Sequence, residues 1–309
     1  MKPLEISGGE VRGPALDVEH LIRLGMAFGG RHRKVLLGCW SDEVSAQARC
    51  NALEAGLLAA GAEVFSAGSL PRPALLFLAR ECGAEAVCSV LPDSVRFRGE
   101  DAGWTEDFRA ENFCRTGHGG TRRAVLKSLN PYLRKLAQVA DLEAIRRSCF
   151  GVHLQAEGAA EEWALKVLEK LHCRVTGPDQ ADVSFELSAD GTEMRLAGYG
   201  PEMTVRMIFE HVLEAFPGDA VLSGKDAVTE EIIAGCGCEA YRVSGDETDL
   251  RNAMRQHGAS LGGSVQSGKV IWKKFQQAPD GFLAMVLVLE MLSLSGQSLR
   301  EIAESLRSV

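Results

Sequence analysis

No stretch of the 309 residues is apolar for long enough to cross a bilayer. The longest such run, 282–294, contains Glu290 and falls short of the about 18 residues a membrane span requires, so it reads as a buried helix. Glu5 and Glu10 precede any apolar segment, which excludes the basic and apolar regions of a signal peptide and leads us to expect a cytoplasmic protein. Blocks of like charge are missing as well. With 34 basic and 42 acidic side chains the formal net charge is −8, which argues against a nucleic-acid partner. The nine cysteines are odd in number and scattered, so they form no disulfide framework and suit a reducing compartment. Cys236 and Cys238 are spaced to share one face of a strand. No second pair stands near them to complete a zinc site, and buried thiols are the expectation. The seven histidines are dispersed, and no G-x-S-x-G, Walker or G-x-G-x-x-G pattern occurs.

What remains is the composition of an ordinary globular protein, 46% hydrophobic and 25% charged, long enough for about two average domains. Leu21, Leu24, Gly25 and Phe28 recur at helical spacing, as do Leu75, Leu78, Ala79 and Cys82, while 35–37 and 86–90 are short runs suited to buried strands. Strands alternating with helices imply a mostly parallel sheet covered on both faces. A polar, locally basic stretch from Arg109 to Lys135 includes the glycine-rich segment 117–123, read as a surface connection able at most to cradle an anion. One linker helix is expected over 130–147. A second α/β unit starts with a strand over 149–154 and continues through a helix with Ala160, Ala164, Val167, Leu168 and Leu171 on one face, then an alternating strand at Val183, Phe185 and Leu187. A third starts near Pro217 and ends in a helix marked by Leu299, Ile302, Ala303 and Leu306, with Ser298 and Glu301 spaced as a capping box.

Several segments resemble the α-D-phosphohexomutases, the superfamily of phosphoglucomutase, phosphomannomutase and phosphoglucosamine mutase. Residues 7–13 (SGGEVRG) look like its opening strand, with Gly8, Arg12 and Gly13 fitting best. The stretch 48–61 and Pro71-Arg72-Pro73-Ala74 resemble its N-A-L-x-A-G-L and P-T-P-A segments, and Asp280-Gly281 with the apolar run behind it resembles its D-G-I segment. Gly245-Asp246 and Ser267-Gly268 fall in the family's order. The resemblance implies three consecutive α/β/α domains with mixed, mostly parallel sheets. We place them at 1–137, a shortened second at 138–216, and 217–309, with no counterpart of the family's fourth domain.

The resemblance also implies a phosphoserine loop, a Mg²⁺ loop and a sugar-reading loop, and this chain departs from the family at each. Asp93 stands at the phosphoserine position and Ser94 one residue later, without the flanking histidine and asparagine. Asp93 is either a solvated loop aspartate or a fixed carboxylate imitating the phosphorylated state. The three metal-binding aspartates are reduced to Asp190, within Ser188-Ala189-Asp190-Gly191-Thr192-Glu193, so no Mg²⁺ or other cofactor is expected. Asp190-Gly191 also suits a turn between strands. In the sugar loop, Val265 replaces the acceptor glutamate and Lys269 the histidine, while Ser267 is kept. Lys273 and Lys274 lie close by in sequence. Arg12, Ser267 and Lys269 are the candidate substrate contacts.

The expected function is therefore that of a phosphoglucomutase/phosphomannomutase-like protein without mutase catalysis, binding a protein partner or a sugar phosphate or other small anion. The alternative is a divergent phosphosugar mutase of carbohydrate metabolism. Without a fourth domain, the flank it covers in the family is expected to serve a homo-oligomer or protein partner.

Overall fold

The computed structural model describes residues 4–13, 16–99, 103–113, 119–125, 129–245 and 247–307. The chain forms two compact units that divide between Ser128 and Leu129.

The first unit is one seven-stranded sheet with helices against it. Its elements are β1 (Glu5–Ser7), β2 (Glu10–Arg12), α1 (Val18–Arg31), β3 (Lys34–Cys39), α2 (Val44–Ala59), β4 (Glu63–Ser69), α3 (Arg72–Cys82), β5 (Ala86–Val90), β6 (Ser94–Arg98), α4 (Trp104–Arg109) and β7 (Thr121–Ala124). The strand order is β1-β2-β6-β5-β3-β4-β7. Strands β5, β3, β4 and β7 run parallel, and β1, β2, β6 and β5 pair antiparallel, so the sheet is half and half.

Helical periodicity in α1 has the expected outcome: Leu21, Leu24, Gly25 and Phe28 are all buried, and Asp17 caps the helix by accepting from the His20 N–H. The glycines have a specific reason here. A Cβ on Gly56 would fall 2.1 Å from the Ile22 carbonyl oxygen, and one on Gly25 would fall 2.4 Å from that of Leu53, so α1 and α2 pack backbone against backbone. The glycine of the 48–61 motif is thus a contact requirement. Phe28, Phe97 and Trp104 close the core behind them, with ring centroids 4.5–5.6 Å apart.

The second unit carries two further sheets. After α5 (Asn130–Leu136) and α6 (Leu142–Ser148) come β8 (Gly151–Gln155), α7 (Gly158–Lys170), β9 (Arg174–Val175), β10 (Val183–Leu187), β11 (Met194–Leu196) and α8 (Pro201–Ala215), with strand order β11-β10-β8-β9. There follow β12 (Ala220–Ser223), α9 (Ala227–Gly235), β13 (Ala240–Val243), α10 (Glu247–His257), β14 (Leu261–Ser264), β15 (Lys269–Trp272), α11 (Gly281–Ser295) and α12 (Leu299–Ser305), with order β13-β12-β14-β15. In each sheet one pairing is antiparallel and two are parallel. Helix α11 is buried along nearly its whole length, and no single helix among the described residues is long and apolar enough to cross a membrane. Ser298 and Glu301 form the expected capping box at α12.

Four local expectations are corrected. The linker is two helices, because Asp141 interrupts the run and caps α6 by accepting from the Ala144 N–H. The strand expected from Cys149 begins at Gly151; Cys149 adopts φ 49° at the end of α6, and Gly151 is fixed by donating to the Asp182 carboxylate at 2.7 Å. Cys236 and Cys238 are in the turn after α9, where Gly237 takes φ 73°, and the Cys238 sulfur accepts from the Gly218 N–H. In the glycine-rich segment, Thr121–Ala124 is the edge strand β7, with Arg122 paired to Glu54 and Arg123 to Glu63. Gly117 and His118 of that segment, together with Cys114 and Asp246, lie outside the described residues. Helix α5 lies within the second of the two compact units.

Candidate functional site

In the first unit, β5 and β6 are joined by the short turn Leu91-Pro92-Asp93, closed by a 2.9 Å bond from the Leu91 N–H to the Ser94 carbonyl. The turn exposes Asp93 and puts Ser94 fully inside as the first residue of β6, opposite Arg12 of β2. A serine with no accessible surface is badly placed to attack an incoming phosphate. Its Oγ makes no full hydrogen bond, but the hydroxyl adds to the field around Glu10. Burial works against that carboxylate's charge. Arg96, Arg12 and Ser94 together outweigh it and hold Glu10 below the usual range, with Arg12 Nε at 2.7 Å and Arg96 Nε at 3.3 Å from its Oε1. Arg12 is thereby tied to an acid of its own hairpin. Asp93 acts across to α2: desolvation lowers the pKa of Arg49, and the attraction of Asp93 works against that shift.

The metal-loop counterpart in the second unit is the hairpin turn between β10 and β11. At the three positions where the resemblance puts aspartates stand Ser188, Asp190 and Thr192. Both hydroxyls donate to the same carboxylate oxygen, Ser188 Oγ at 2.7 Å and Thr192 Oγ1 at 2.8 Å from Asp190 Oδ1, and the Thr192 N–H joins them at 3.1 Å. Ser188 Oγ in turn accepts from the Glu193 N–H. Asp190 is buried and its Oδ1 is filled from within its own turn, where a hard cation needs several oxygen ligands with lone pairs to spare. This donor set does not fit Mg²⁺.

That turn is docked onto the start of α11. Gly281 donates its N–H to the Gly191 carbonyl at 2.9 Å, and a Cβ at Gly281 would meet that oxygen at 2.8 Å. Asp280 before it is fully buried and caps α11 through Phe282 and Leu283. The Asp280-Gly281 dipeptide therefore has two jobs: the acid starts the helix and the glycine lets the turn approach.

The sugar-loop counterpart is the turn between β14 and β15. Lys269 Nζ lies 3.3 Å from Glu193 Oε1, and the two residues also form a β-bridge. Arg195 of β11 reaches the Ser267 carbonyl at 3.3 Å and Glu193 Oε2 at 3.5 Å. Ser267 Oγ is buried and makes no hydrogen bond. Two cations, one carboxylate and one unsatisfied hydroxyl thus converge on one turn, with a net positive charge. Val265 leaves the loop without its own acceptor, and Glu193, arriving from β11, brings a carboxylate to the same place. Sequence reading missed Arg195 altogether and named Glu193 only as the end of the metal-loop segment, because both depend on a pairing between two sheets. Lys273 and Lys274 do not join this cluster. Lys273 pairs its N–H with the Ser260 carbonyl at the far end of the β14–β15 hairpin, and Lys274 covers the Phe216 ring at 3.4 Å.

Of the candidate residues, Arg12, Asp93 and Ser94 belong to the first unit, and Asp190, Ser267 and Lys269 to the second. Among the described residues no group of three or more His, Cys, Asp or Glu is arranged to hold a metal ion.

Residues 225–309 match the family model of the phosphoglucomutase/phosphomannomutase α/β/α domain III. Over 97% of its length the chain is 25% identical to a phosphoglucosamine mutase of Nitratidesulfovibrio vulgaris, covering 80% of that protein. The alignment spans 367 positions, more than the chain has residues, so the relative carries segments inside the matched span that are missing here. A phosphoglucomutase/phosphomannomutase of Thermococcus kodakarensis is 21% identical over 96% of the chain and 78% of its own length. In fold, the chain is similar to a putative phosphomannomutase from Thermus thermophilus, with TM-score 0.85 and 17% identity over 99% of this chain and 84% of that one. A phosphoglucomutase/phosphomannomutase family protein from Burkholderia thailandensis gives TM-score 0.78 at 17% identity, covering 96% and 78%.

Proposed function

Since the chain belongs to the phosphoglucomutase/phosphomannomutase superfamily, we propose that it keeps the scaffold as a binding protein for a sugar phosphate or other small anion and does not transfer phosphoryl groups. The observation that carries this reading is the Asp190 turn, where two hydroxyls of the chain itself already donate to Oδ1, one of the two oxygens of the only carboxylate among the three metal-loop positions. Phosphoryl transfer relies on such an ion to neutralise developing charge. The buried Ser94 and the exposed, unflanked Asp93 point the same way. Binding falls to the turn at Ser267: Lys269 and Arg195 attract the anion, and Glu193 is left to hydrogen-bond sugar hydroxyls.

A second reading, a divergent phosphosugar mutase, is favoured by the names of the relatives, which are mutases matched over nearly the whole chain. Two measurements separate the readings. Incubation with labelled hexose 1,6-bisphosphate leaves the binding protein unlabelled and glucose 1-phosphate unconverted. Label that disappears in Asp93→Ala or Ser94→Ala decides for the mutase. Calorimetry with glucose 6-phosphate and glucosamine 6-phosphate tests the binding claim itself: the expected result is affinity lowered about tenfold by Lys269→Ala. Equal affinity in the variant removes the Ser267 turn from the account.

A further inference from the structure

A groove of about 550 Å³ opens where the C-terminal ends of α8 and α11 meet α12. Its floor is apolar, made by Met291, the buried Ile302 and Leu294, whose side chain is 58% exposed. Its rim is acidic. Glu210 and Glu214 stand one helical turn apart on α8, and among the described residues neither has a salt-bridge or side-chain hydrogen-bond partner. Desolvation and the neighbouring Glu214 raise the pKa of Glu210, and desolvation, Cys238 and, to a lesser degree, both acids raise that of the Cys236 thiol. The backbone adds to the negative potential. Helices α8 and α11 are each 15 residues long, end beside the groove, and have no basic side chain in the last turn to offset their C-terminal carbonyls. His211, the remaining titratable group on the wall, is engaged by Glu290 at 2.9 Å.

We propose that this groove is a docking site for a cationic amphipathic helix of a partner protein, which places lysines or arginines over Glu210 and Glu214 and an aliphatic side chain against Leu294 and Met291. Charge complementarity selects that occupant. Glu214 sits in the last turn of α8 and Glu210 one turn before it, so a basic partner complements both carboxylates and the carbonyl end of the helix. A second copy of the chain meets the opposite situation. Two copies related by a twofold axis through this face bring four carboxylates together in a protein whose formal net charge is already −8. An apolar floor also has no use for a bare metal ion, and among the described residues no group of three or more His, Cys, Asp or Glu is arranged to hold one. Helix-in-groove recognition needs apolar anchors at i and i+3 or i+4 with charge on the flanks, and the groove offers both.

The test uses the full chain and a fluorescent amphipathic peptide of leucine and lysine, with a leucine and glutamate peptide of the same pattern as control. The leucine–lysine peptide is expected to bind, at least about tenfold more tightly than the control. Glu210→Lys with Glu214→Lys is expected to weaken it about tenfold or more, and Leu294→Ser about fivefold. Reversing the same number of charges on the exposed face of α7, with Glu161→Lys and Glu169→Lys, leaves affinity within about twofold. An equal loss from the α7 pair reduces the effect to general electrostatics and overturns the proposal. So does failure of the leucine–lysine peptide to bind. Sedimentation showing a dimer that Leu294→Ser dissociates also overturns it, by giving the groove to a second copy. The sugar-phosphate reading is untouched by any of these outcomes.

Discussion

Tyr132 Oη lies 2.8 Å from Oδ2 and 2.9 Å from Oδ1 of Asp280, both side chains fully buried, so the linker helix α5 is latched to the cap of α11. Gln276 Nε2 completes the shell at 2.6 Å from Oδ2. The contact joins residues 148 apart in the chain and holds the element onto which the Asp190 turn is docked. Burial pushes the Asp280 carboxyl up to about 6, against the stabilising bonds from Leu283, Tyr132, Phe282 and Gln276.

Asp280 gives a pH dependence of defined sign. With its carboxyl at about 6 in the fold and 3.8 as the ordinary value, the folded chain binds the proton more tightly. Its contribution is fully present below pH about 4 and is lost as pH rises through 6. Asp280→Asn cannot titrate, so between pH 4 and 7 the difference in unfolding free energy shifts in favour of the variant by about 3 kcal/mol. Urea titrations of both proteins across that range measure it, and a difference flat with pH contradicts it.

Restoring the acids of the metal turn is expected to restore metal binding. Ser188→Asp with Thr192→Asp replaces both donors to Asp190 Oδ1 by carboxylates. Mg²⁺ affinity measured by calorimetry rises at least about tenfold over a native affinity no tighter than about millimolar. Without Mg²⁺ the same variant loses about 1–3 kcal/mol of stability, because like charges crowd a buried turn. Tight Mg²⁺ binding by the native chain, lost in Asp190→Asn, sinks the expectation.

Gly56→Ala is expected to destabilise the first unit by about 2–4 kcal/mol, since its methyl group has only 2.1 Å to the Ile22 carbonyl oxygen and the two helices must separate. Gly83→Ala is a contrast: Gly83 has open space but φ 68°, so only the backbone conformation resists, at about 1 kcal/mol. Chemical denaturation ranks the two, and a reversed order shows that α1 and α2 have room to spare.

Asp226 takes a two-pronged bond from Arg206, at 2.6 and 2.8 Å, and also caps α9. Desolvation opposes its ionisation, and the bonds from Arg206 and Thr229 keep its pKa below the usual value. Arg206→Met leaves that carboxylate mostly buried and unpaired, and costs about 3 kcal/mol, more than Asp226→Asn, which keeps the cap. Thermal unfolding of both variants provides the comparison.

Local patterns carried much of the fold. The period in α1 and α7, the alternation in β10, the capping box at α12 and the uniformly apolar α11 depend on neighbours within a few turns, and each is read from residues close in sequence. Breaks were harder. Asp141 splits the linker because its side chain caps a new helix, a choice that composition alone does not force. The strand β7 has exposed, charged residues and is held by pairing with β4, so nothing in its own sequence marks it.

The sequence by itself determined which loops differ from the phosphohexomutase pattern, since a missing aspartate, histidine or glutamate is visible at its position. Only the tertiary structure decided what those loops do instead. Ser188 and Thr192 turning onto Asp190, Glu193 crossing to Lys269, and Tyr132 reaching Asp280 are all pairings of partly or fully buried polar groups, where donors favour a protein acceptor. Residue type states what a side chain can offer. The partner is chosen by which strands and helices the packed core brings within 3 Å, and that is a property of the whole fold.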